Sequence, residues 1–281
     1  MPELPEVETL VRDLQASHLV NNEIAEVRVF WPRSISGNVQ DFCSQIAHQT
    51  ITQISRKGKY IIFSLNEQTL LIHLRMTGKF ILSPKDETIF SHERVQLRFR
   101  DGRVLHYLDQ RKFGRWQLLR NPEDKLDKLG LEPFSKEFTL AALTKLLKGH
   151  SKRIKVFLLD QSYIAGIGNI YADEVLWSAK IHPLRLTNTL EPKEIQTLYR
   201  AIPDVLQKGI AHTSPQLGSN QANYYSVASR RANPEHGLSV FRRDGLECSR
   251  CHTKIEKITI AQRSTHFCPY CQKKSEVRNS E

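Results

Sequence analysis

The sequence predicts an α+β protein in which an N-terminal antiparallel β-sandwich, opened by a helix, precedes a helical domain and a four-cysteine β-hairpin. Three observations predict this fold class. Short β-rich runs fill residues 23–120, helical periodicity then continues to about residue 210, and two Cys-x2-Cys pairs lie near the end of the chain.

Composition narrows the class of protein. The 281 residues include 41 Lys+Arg and 30 Asp+Glu, so the formal charge is +11 and favours a polyanionic partner. With 40% hydrophobic residues, the chain is typical of a globular protein and not of collagen, mucin or a disordered tail. Its longest apolar runs, such as 60–63, fall far short of the ~20 residues that span a bilayer. Because the first residues are acidic, unlike a targeting peptide, we expect a cytoplasmic protein.

The first element is a helix that starts almost at the chain end. Apolar residues recur at helical spacing from Val7 to Leu14. Pro5 stands near the first helical position, and Glu6 and Glu8 lie in the first turn, where negative charge is favourable.

The sandwich is predicted from seven β-rich runs and one inserted helix near residues 39–48. Asp101-Gly102 between two of the runs predicts a hairpin turn. The predicted strands cover residues 24–30, 51–55, 60–65, 70–74, 95–100, 104–108 and 115–119.

The helical region contains a predicted helix, glycine turn and helix, over residues 151–161 and 164–174. Asn169 is expected to cap the second helix, whose unpaired N–H groups suit a phosphate. A dinucleotide-binding fingerprint is rejected, because no strand precedes Gly166 and Tyr171 occupies the place of the third glycine. We therefore favour a clamp on the DNA backbone, with a bare turn as the alternative.

Four cysteines predict a structural zinc site. Cys248, Cys251, Cys268 and Cys271 follow the pattern C-x2-C-x16-C-x2-C, and residues 255–260 between the pairs alternate like a strand. Four thiolates complete a tetrahedron and leave no position for a catalytic water. One zinc ion is the expected cofactor.

These patterns divide the chain into three expected domains. The strands stop around residues 130–134, and residues 213–237 are rich in Ser, Asn, Gln and Pro, which predicts a long loop. We expect a sandwich domain at 1–132, a helical DNA-binding domain at 133–237 and a zinc hairpin at 238–281.

The N-terminus is the first candidate for chemistry. Met1 before a proline is normally removed, which would expose the secondary amine of Pro2 as a nucleophile. Glu3 beside it could act as a general acid. An inert chain end is the alternative, but the adjacent helix indicates that this end is held in place.

Two loops at strand ends are candidates for contact with bases. Residues 73–78 and 109–114 each place an apolar side chain, Met76 or Phe113, beside a cation. Such a side chain could wedge between bases while the cation contacts a phosphate or a base edge. The alternative is that both side chains belong to the core.

Together these residues resemble the formamidopyrimidine-DNA glycosylase family, the bacterial base-excision enzymes for oxidised purines. The resemblance covers nearly the whole chain and implies that the helix–turn–helix is a helix–two-turn–helix motif. It rests on residues 2–9, 56–60, the Met76 loop, residues 111–113, residues 166–174 and the four cysteines in order.

The resemblance implies a bifunctional glycosylase and abasic-site lyase. Pro2 would attack C1′ of the damaged nucleotide while Glu3 protonates the sugar oxygen, which gives a Schiff base after the base departs. Lys59 would assist β-elimination, and Arg263 would hold phosphate and assist δ-elimination. Glu6 would line the base pocket.

By the same resemblance the partner is damaged double-stranded DNA, bound by a nucleoid-associated bacterial monomer without membrane contact. Met76 and Phe113 would fill the vacated base stack, Arg111 would contact the orphaned cytosine, and Asn169 would grip phosphates. The full set of expected DNA contacts is Glu6, His73, Met76, His92, Arg111, Phe113, Lys152, Lys155, Asn169 and Tyr171.

The sequence departs from the family pattern at two places. Residues 211–216 replace a usual Gly-Gly-Thr/Ser element that opens a loop over the extruded base, and residues 241–243 replace a usual Tyr-Gly-Arg. Two alternatives therefore stay open: the same chemistry with a preference for oxidised pyrimidines, or a damaged-DNA binding protein without catalysis.

Overall fold

A computed structural model describes residues 1–84, 90–213 and 237–274. These residues form two compact units that divide between Lys128 and Leu129. The three-domain division with boundaries after residues 132 and 237 stays a prediction. The predicted loop at 213–237 lies, apart from its two end residues, outside the described residues.

The first unit contains two antiparallel four-stranded sheets, with strand orders β1-β6-β7-β5 and β2-β3-β4-β8. Three helices accompany them. The strands are β1 Ile24–Val29, β2 Ile51–Lys57, β3 Tyr60–Leu65, β4 Thr69–His73, β5 Gly78–Ser83, β6 Glu93–Phe99, β7 Val104–Asp109 and β8 Arg115–Leu119. The helices are α1 Leu4–Ala16, α2 Val39–Ile46 and α3 Glu123–Leu126.

The predicted sandwich, its first helix and its inserted helix are confirmed, but the strand count differs. The structure adds β5, which pairs with β7. The sequence Gly78–Ser83 was not predicted as a strand, because buried Phe80 and Ile81 are adjacent and break the period of two.

A single hydrophobic core fills the space between the sheets and α1. Aromatic rings from both sheets meet there: Tyr107 lies 5.3 Å from Trp116 and Phe80 lies 5.8 Å from Trp116, measured between ring centroids. Val7 and Leu14 of α1 pack against the same cluster. Burying this face of α1 fixes the helix against the sheets, and with it the chain end.

The second unit is helical and ends in a β-hairpin. Helix α6 packs against α5, α7 and β10, so it links the helical bundle to the hairpin. The elements are α4 Leu140–Lys148, α5 Ile154–Leu159, α6 Asn169–Ala179, α7 Pro192–Ala211, β9 Glu256–Ile260 and β10 Arg263–Phe267. Among the described residues, no helix is both long and apolar enough to cross a membrane.

The start of α6 differs from the prediction in one detail. Gly168 is the N-cap and Asn169 is the first helical residue, so Asn169 does not cap the helix. The reason lies in the preceding turn, where Gly166 adopts φ = 92° and Gly168 supplies the extended residue that enters the helix. The Asn169 side chain is thereby available for other partners.

Candidate active site and DNA interface

The N-terminal candidates lie at the start of α1. Pro2, Glu3 and Glu6 are buried, whereas Met1 is 43% exposed. Glu3 is the N-cap, and its backbone N–H donates to Glu6 Oε2 at 2.9 Å in a capping box. Two carboxylates thus share the positive end of a helix dipole, and the chain end has one fixed conformation.

A partly buried ion pair connects α1 to the β2–β3 turn. Arg56 Nε donates to Glu8 Oε2 at 3.0 Å, and Arg56 Nη1 donates to the Gly58 carbonyl at 3.0 Å. Burial alone would raise the pKa of Glu8, but Arg56 and Arg12 outweigh it and hold that pKa below its usual value. Arg56 therefore fixes the turn that presents Lys59.

Lys59 and His73 lie together at the end of the β3–β4 ladder. Both side chains are buried, and Tyr60, next to Lys59, pairs directly with His73. Burial, with the positive charges of Arg75 and Lys59, lowers the pKa of His73 to about 3. The Arg75 backbone N–H donates to His73 Nδ1 at 3.0 Å, so the neutral ring carries its proton on Nε2. His73 is thus an uncharged donor at neutral pH.

The Met76 loop, residues 74–78, and the Phe113 loop, residues 110–114, place their apolar residues outward. Met76 is 40% and Phe113 46% exposed, so neither belongs to the core. The Arg111 guanidinium carbon lies 4.8 Å from the centroid of the Phe113 ring. Both loops project an apolar side chain and at least one cation, as a wedge into DNA requires.

His92 is exposed just before β6 and has φ = 66°. Its carbonyl accepts from the Asp109 backbone N–H at 2.9 Å. Asp109 itself was named in the sequence only as the start of a loop, yet it is fully buried. Its contact with Thr77 of the Met76 loop spans 32 residues, so no local pattern could have revealed that contact.

In the second unit, two of the expected DNA contacts are internal. Lys155 is fully buried; its Nζ donates to Asp173 Oδ1 at 2.6 Å and to the Asn169 carbonyl at 2.9 Å. Asp173 Oδ2 accepts from the backbone N–H of His266 in β10 at 3.0 Å. Tyr171 is 2% exposed. Its ring packs so closely against Gly209 that a Cβ at that position would clash with it.

Asn169 and the strand that carries Arg263 are in contact. Asn169 Nδ2 donates to the Ser264 carbonyl at 2.9 Å, and Arg263 and Ser264 are exposed. Lys152 lies at the surface, with its Nζ 3.7 Å from Asp160 Oδ2. Interaction with Tyr163 and Asp160 raises the pKa of Lys152 above its usual value. Among these residues, Lys152, Asn169 and Arg263 can reach a ligand.

A buried acid that the sequence did not single out joins α6 to the segment before the hairpin. Glu174 accepts from the backbone N–H groups of Ser239, Val240 and Phe241 at 2.8, 2.8 and 2.9 Å. Burial raises the pKa of Glu174 even though these bonds oppose the shift. The only sequence signal for Glu174 was its place in residues 164–174, the second part of the predicted helix, glycine turn and helix.

The four cysteines form a metal site. The Sγ atoms of Cys248, Cys251, Cys268 and Cys271 all lie within 4.8 Å of one another. A tetrahedral zinc with four thiolates at 2.3 Å has sulfur–sulfur edges of about 3.8 Å, which fits this cluster. The Trp177 indole N–H donates to Cys248 Sγ at 3.4 Å, so α6 also contacts the ligand set. The site is suited to one structural zinc ion.

Comparison with known proteins agrees with this architecture. Residues 1–116 match the formamidopyrimidine-DNA glycosylase N-terminal domain, residues 129–219 match its H2TH domain, and residues 245–274 match a zinc finger found in FPG and IleRS. These parts define the class: a DNA-repair glycosylase with a helix–two-turn–helix domain and a zinc finger.

The chain belongs to the formamidopyrimidine-DNA glycosylase family. It is 43% identical to the formamidopyrimidine-DNA glycosylase of Protochlamydia amoebophila over 98% of this chain and 100% of that one. The corresponding protein of Enterococcus faecalis is 44% identical, with 97% of each chain covered. A Lactococcus lactis Fpg bound to DNA with an abasic site has a TM-score of 0.85 and 38% identity, covering 97% of this chain and 100% of that chain.

Proposed function

We propose that this enzyme excises oxidised purines, 8-oxoguanine and formamidopyrimidines, from duplex DNA and then cleaves the strand at the abasic site. The observation that carries the proposal is that Pro2 and Glu3 are both buried and stand together at a capped helix start. A binding protein would have no need of the N-terminal amine that Met1 removal would expose at Pro2, beside an acid.

In the first step, the Pro2 amine, free once Met1 is removed, attacks C1′ of the damaged nucleotide. The bond between C1′ and the base breaks, the departing base takes up the proton that the Pro2 nitrogen loses, and Glu3 donates a proton to O4′ as the sugar ring opens. The product is an iminium between Pro2 and C1′, which withdraws electrons from C2′. The capping box supports this assignment because it holds the Glu3 backbone in one place.

The second step is elimination. Loss of a proton from C2′ expels the 3′ phosphate, and a further elimination expels the 5′ phosphate. We assign assistance in the first to Lys59, and in the second to Arg263 in the zinc hairpin. Neutral His73 suits a hydrogen bond from Nε2 to a phosphate oxygen, because it adds no charge beside Lys59.

DNA contacts are assigned to residues of each unit separately. We assign phosphate contacts to His92, Lys152 and Asn169, the wedge to Met76 and Phe113, and contact with the opposite base to Arg111. Glu6 is assigned to the base pocket. The exposure of Met76 and Phe113 supports the wedge, because buried side chains could not enter a base stack.

Lys155 and Tyr171 take positioning roles in this proposal. Lys155 binds the Asn169 carbonyl and Asp173, and Tyr171 packs against Gly209, so each orients α6 without reaching DNA. The structural zinc ion, held by the four cysteines, would fix the hairpin that carries Arg263.

Oxidised pyrimidine is a second candidate substrate. A wild-type Lactococcus lactis Fpg, 38% identical with a TM-score of 0.86, has been solved with DNA that contains an oxidised pyrimidine. We keep oxidised purine as the main proposal, because the start Pro2-Glu3-Leu4 resembles the oxidised-purine branch.

We also propose that the enzyme acts as a monomer in the bacterial cytoplasm, at the nucleoid. The bacterial relatives and the basic charge of +11 support this assignment. A light-scattering mass near twice the 32.5 kDa of one chain would contradict the monomer.

The proposal is tested by borohydride trapping on four duplexes. The first carries 8-oxoguanine opposite cytosine, and the others carry a formamidopyrimidine, an oxidised pyrimidine or an abasic site. We expect a covalent adduct that maps to Pro2 on the first two and on the abasic duplex. An adduct on the abasic duplex alone would remove the oxidised-purine assignment, and no adduct on any duplex would favour a binding protein.

Two variants provide the controls. Pro2→Gly, or retention of Met1 verified by intact mass, should abolish nicking and leave duplex binding in place. Unchanged strand cleavage in either variant would refute the proline nucleophile. Pro192→Gly is the matched control, because that proline begins a helix of the second unit away from the chain end.

A further inference from the structure

The Met76 loop and the Phe113 loop are attached to one buried carboxylate. Asp109 ends β7 and has no exposed surface. Its strand pairs with β5, where Asp109 lies opposite Gly78 of the Met76 loop. The Phe113 loop follows Asp109 directly in the sequence, so this residue stands at the junction of the two loops.

Both oxygens of Asp109 accept hydrogen bonds from the loops. Oδ1 accepts from the Thr77 hydroxyl and from the Arg111 backbone N–H, the latter at 3.2 Å. Oδ2 accepts from the Gly114 backbone N–H at 2.7 Å. A buried carboxylate is stable only when such donors compensate for lost hydration, so displacement of either loop would leave it unsatisfied.

Thr77 completes the network between the loops. Its hydroxyl donates its one proton to Asp109 and accepts from the Arg111 backbone N–H at 3.0 Å. This single hydroxyl therefore donates one hydrogen bond to Asp109 and accepts one from Arg111. Thr77 is adjacent to Met76 in the sequence. Its hydrogen-bond partner, Arg111, carries the guanidinium group that lies against the Phe113 ring.

Tyr107 supplies a second restraint that does not depend on hydrogen bonding. Its hydroxyl lies so close to Gly78 and to Gly114 that a Cβ on either glycine would clash with it. One ring thus supports one glycine of each loop, and the ring itself is fully buried in the core. The two loops cannot shift separately without repacking this contact.

From this geometry we propose that Thr77 and Asp109 are a positioning pair that couples the Met76 wedge to the reading of the opposite base by Arg111. The inference rests on the proposed function and adds a specificity determinant to it. Insertion of Met76 and placement of the Arg111 backbone then occur together, so a wrong opposite base disfavours both.

The test compares Thr77→Val, which keeps the shape and removes the hydroxyl, with Thr77→Ser, which keeps the hydroxyl. For each protein, kcat/KM is measured on 8-oxoguanine opposite cytosine and opposite adenine. Cleavage of a single-stranded abasic oligonucleotide, which has no opposite base, is measured beside them. We expect Thr77→Val to reduce the preference for cytosine about fivefold, the effect of one hydrogen bond.

Single-strand cleavage should be unchanged in Thr77→Val, and Thr77→Ser should keep the wild-type preference. A merely structural role would instead lower all three rates together. An unchanged preference in Thr77→Val, or a wild-type enzyme with no preference, overturns the inference. If Thr77→Val does not fold, Thr77→Ala is measured in the same way.

Failure of the proposed function is distinguished by trapping wild-type protein on the abasic duplex. An adduct there, together with an unchanged base preference in Thr77→Val, overturns the coupling alone. Absence of the adduct overturns the proposed function, and the inference with it.

Discussion

Single residues of the first unit owe their chemistry to burial. Glu3 and Glu6 are buried at the start of a helix, and His73 is buried under the influence of the positive charges of Arg75 and Lys59. In each case the backbone fixes the side chain: a capping box holds Glu3, and the Arg75 N–H fixes the tautomer of His73. Two predictions follow from these placements.

Glu3→Gln should slow base release about 10²- to 10⁴-fold, the usual contribution of a positioned general acid. Glutamine can still accept the capping hydrogen bond, so the helix start should be retained. Borohydride trapping on a preformed abasic site should change less, because an abasic sugar already equilibrates with its ring-opened aldehyde and depends less on protonation of O4′. Exposed Glu67→Gln is the control, and equal losses on both substrates would contradict the acid role.

His73 should make stability depend on pH. Its folded-state pKa of about 3 lies below the ordinary 6.5, so between these values the unfolded chain binds more protons. Stability is therefore fully present above pH 6.5 and falls as pH decreases toward 3, by at most about 1.4 kcal/mol per pH unit.

The measurement is the urea midpoint of wild type and His73→Gln at pH 7 and pH 5. The variant should lose less stability on acidification than the wild type. His48→Gln is the control, since the His48 side chain is 78% exposed. Equal acid sensitivity in His73→Gln and wild type would disprove the assignment.

At the scale of elements, single contacts connect segments that are distant in sequence. The Glu8–Arg56 pair joins α1 to the β2–β3 turn, and Asn169 joins α6 to the hairpin across 95 residues. The position of a functional side chain is thus set by an element other than its own.

Glu8→Gln should destabilise the first unit by about 1–2 kcal/mol, because Arg56, with its side chain 6% exposed, would lose its counter-ion. The turn before Lys59 would loosen as well, so we expect slower β-elimination. Thermal unfolding and lyase rates on a preformed abasic site provide the measurements. Glu26→Gln, which removes more exposed pairs with Arg28 and Arg98, is the control, and equal effects would count against the Glu8–Arg56 pair.

Cys271→Ser should remove one zinc ligand and weaken DNA binding, because the hairpin that carries Arg263 depends on the metal. Zinc content by atomic emission and duplex affinity by fluorescence anisotropy test this expectation. Cys43→Ser, in a cysteine outside the cluster, should retain the metal. Full DNA affinity in zinc-free Cys271→Ser would refute the structural role.

At the scale of the whole molecule, the excess of 41 cationic over 30 acidic side chains should govern DNA affinity. We expect log K to fall linearly with log salt concentration. Arg263→Ala should reduce the magnitude of this slope by about 1, the amount expected for one lost phosphate contact. Arg28→Ala should leave the slope unchanged, because Arg28 is paired with Glu26. An unchanged slope in Arg263→Ala would contradict the phosphate contact.

The parts that the sequence predicted are those whose signals are local. Pro5 and Glu6 indicated the first helix, and the spacing of four cysteines indicated the zinc site. The exposed wedge candidates were found because an apolar side chain stood beside a cation at a strand end. By contrast, β5 was missed because its burial does not alternate.

The sequence by itself determined the α+β class, the order of its parts, the zinc ligands and the candidate nucleophile and acid, because these depend on period, spacing and neighbouring residue types. Only the tertiary structure decided that Lys155 faces Asp173 instead of a ligand, that His73 is neutral, and that Asp109 and Thr77 join two loops. The Lys155–Asp173 and Thr77–Asp109 contacts join residues 18 and 32 positions apart, and the neutrality of His73 depends on burial, so all three arise only when the chain packs.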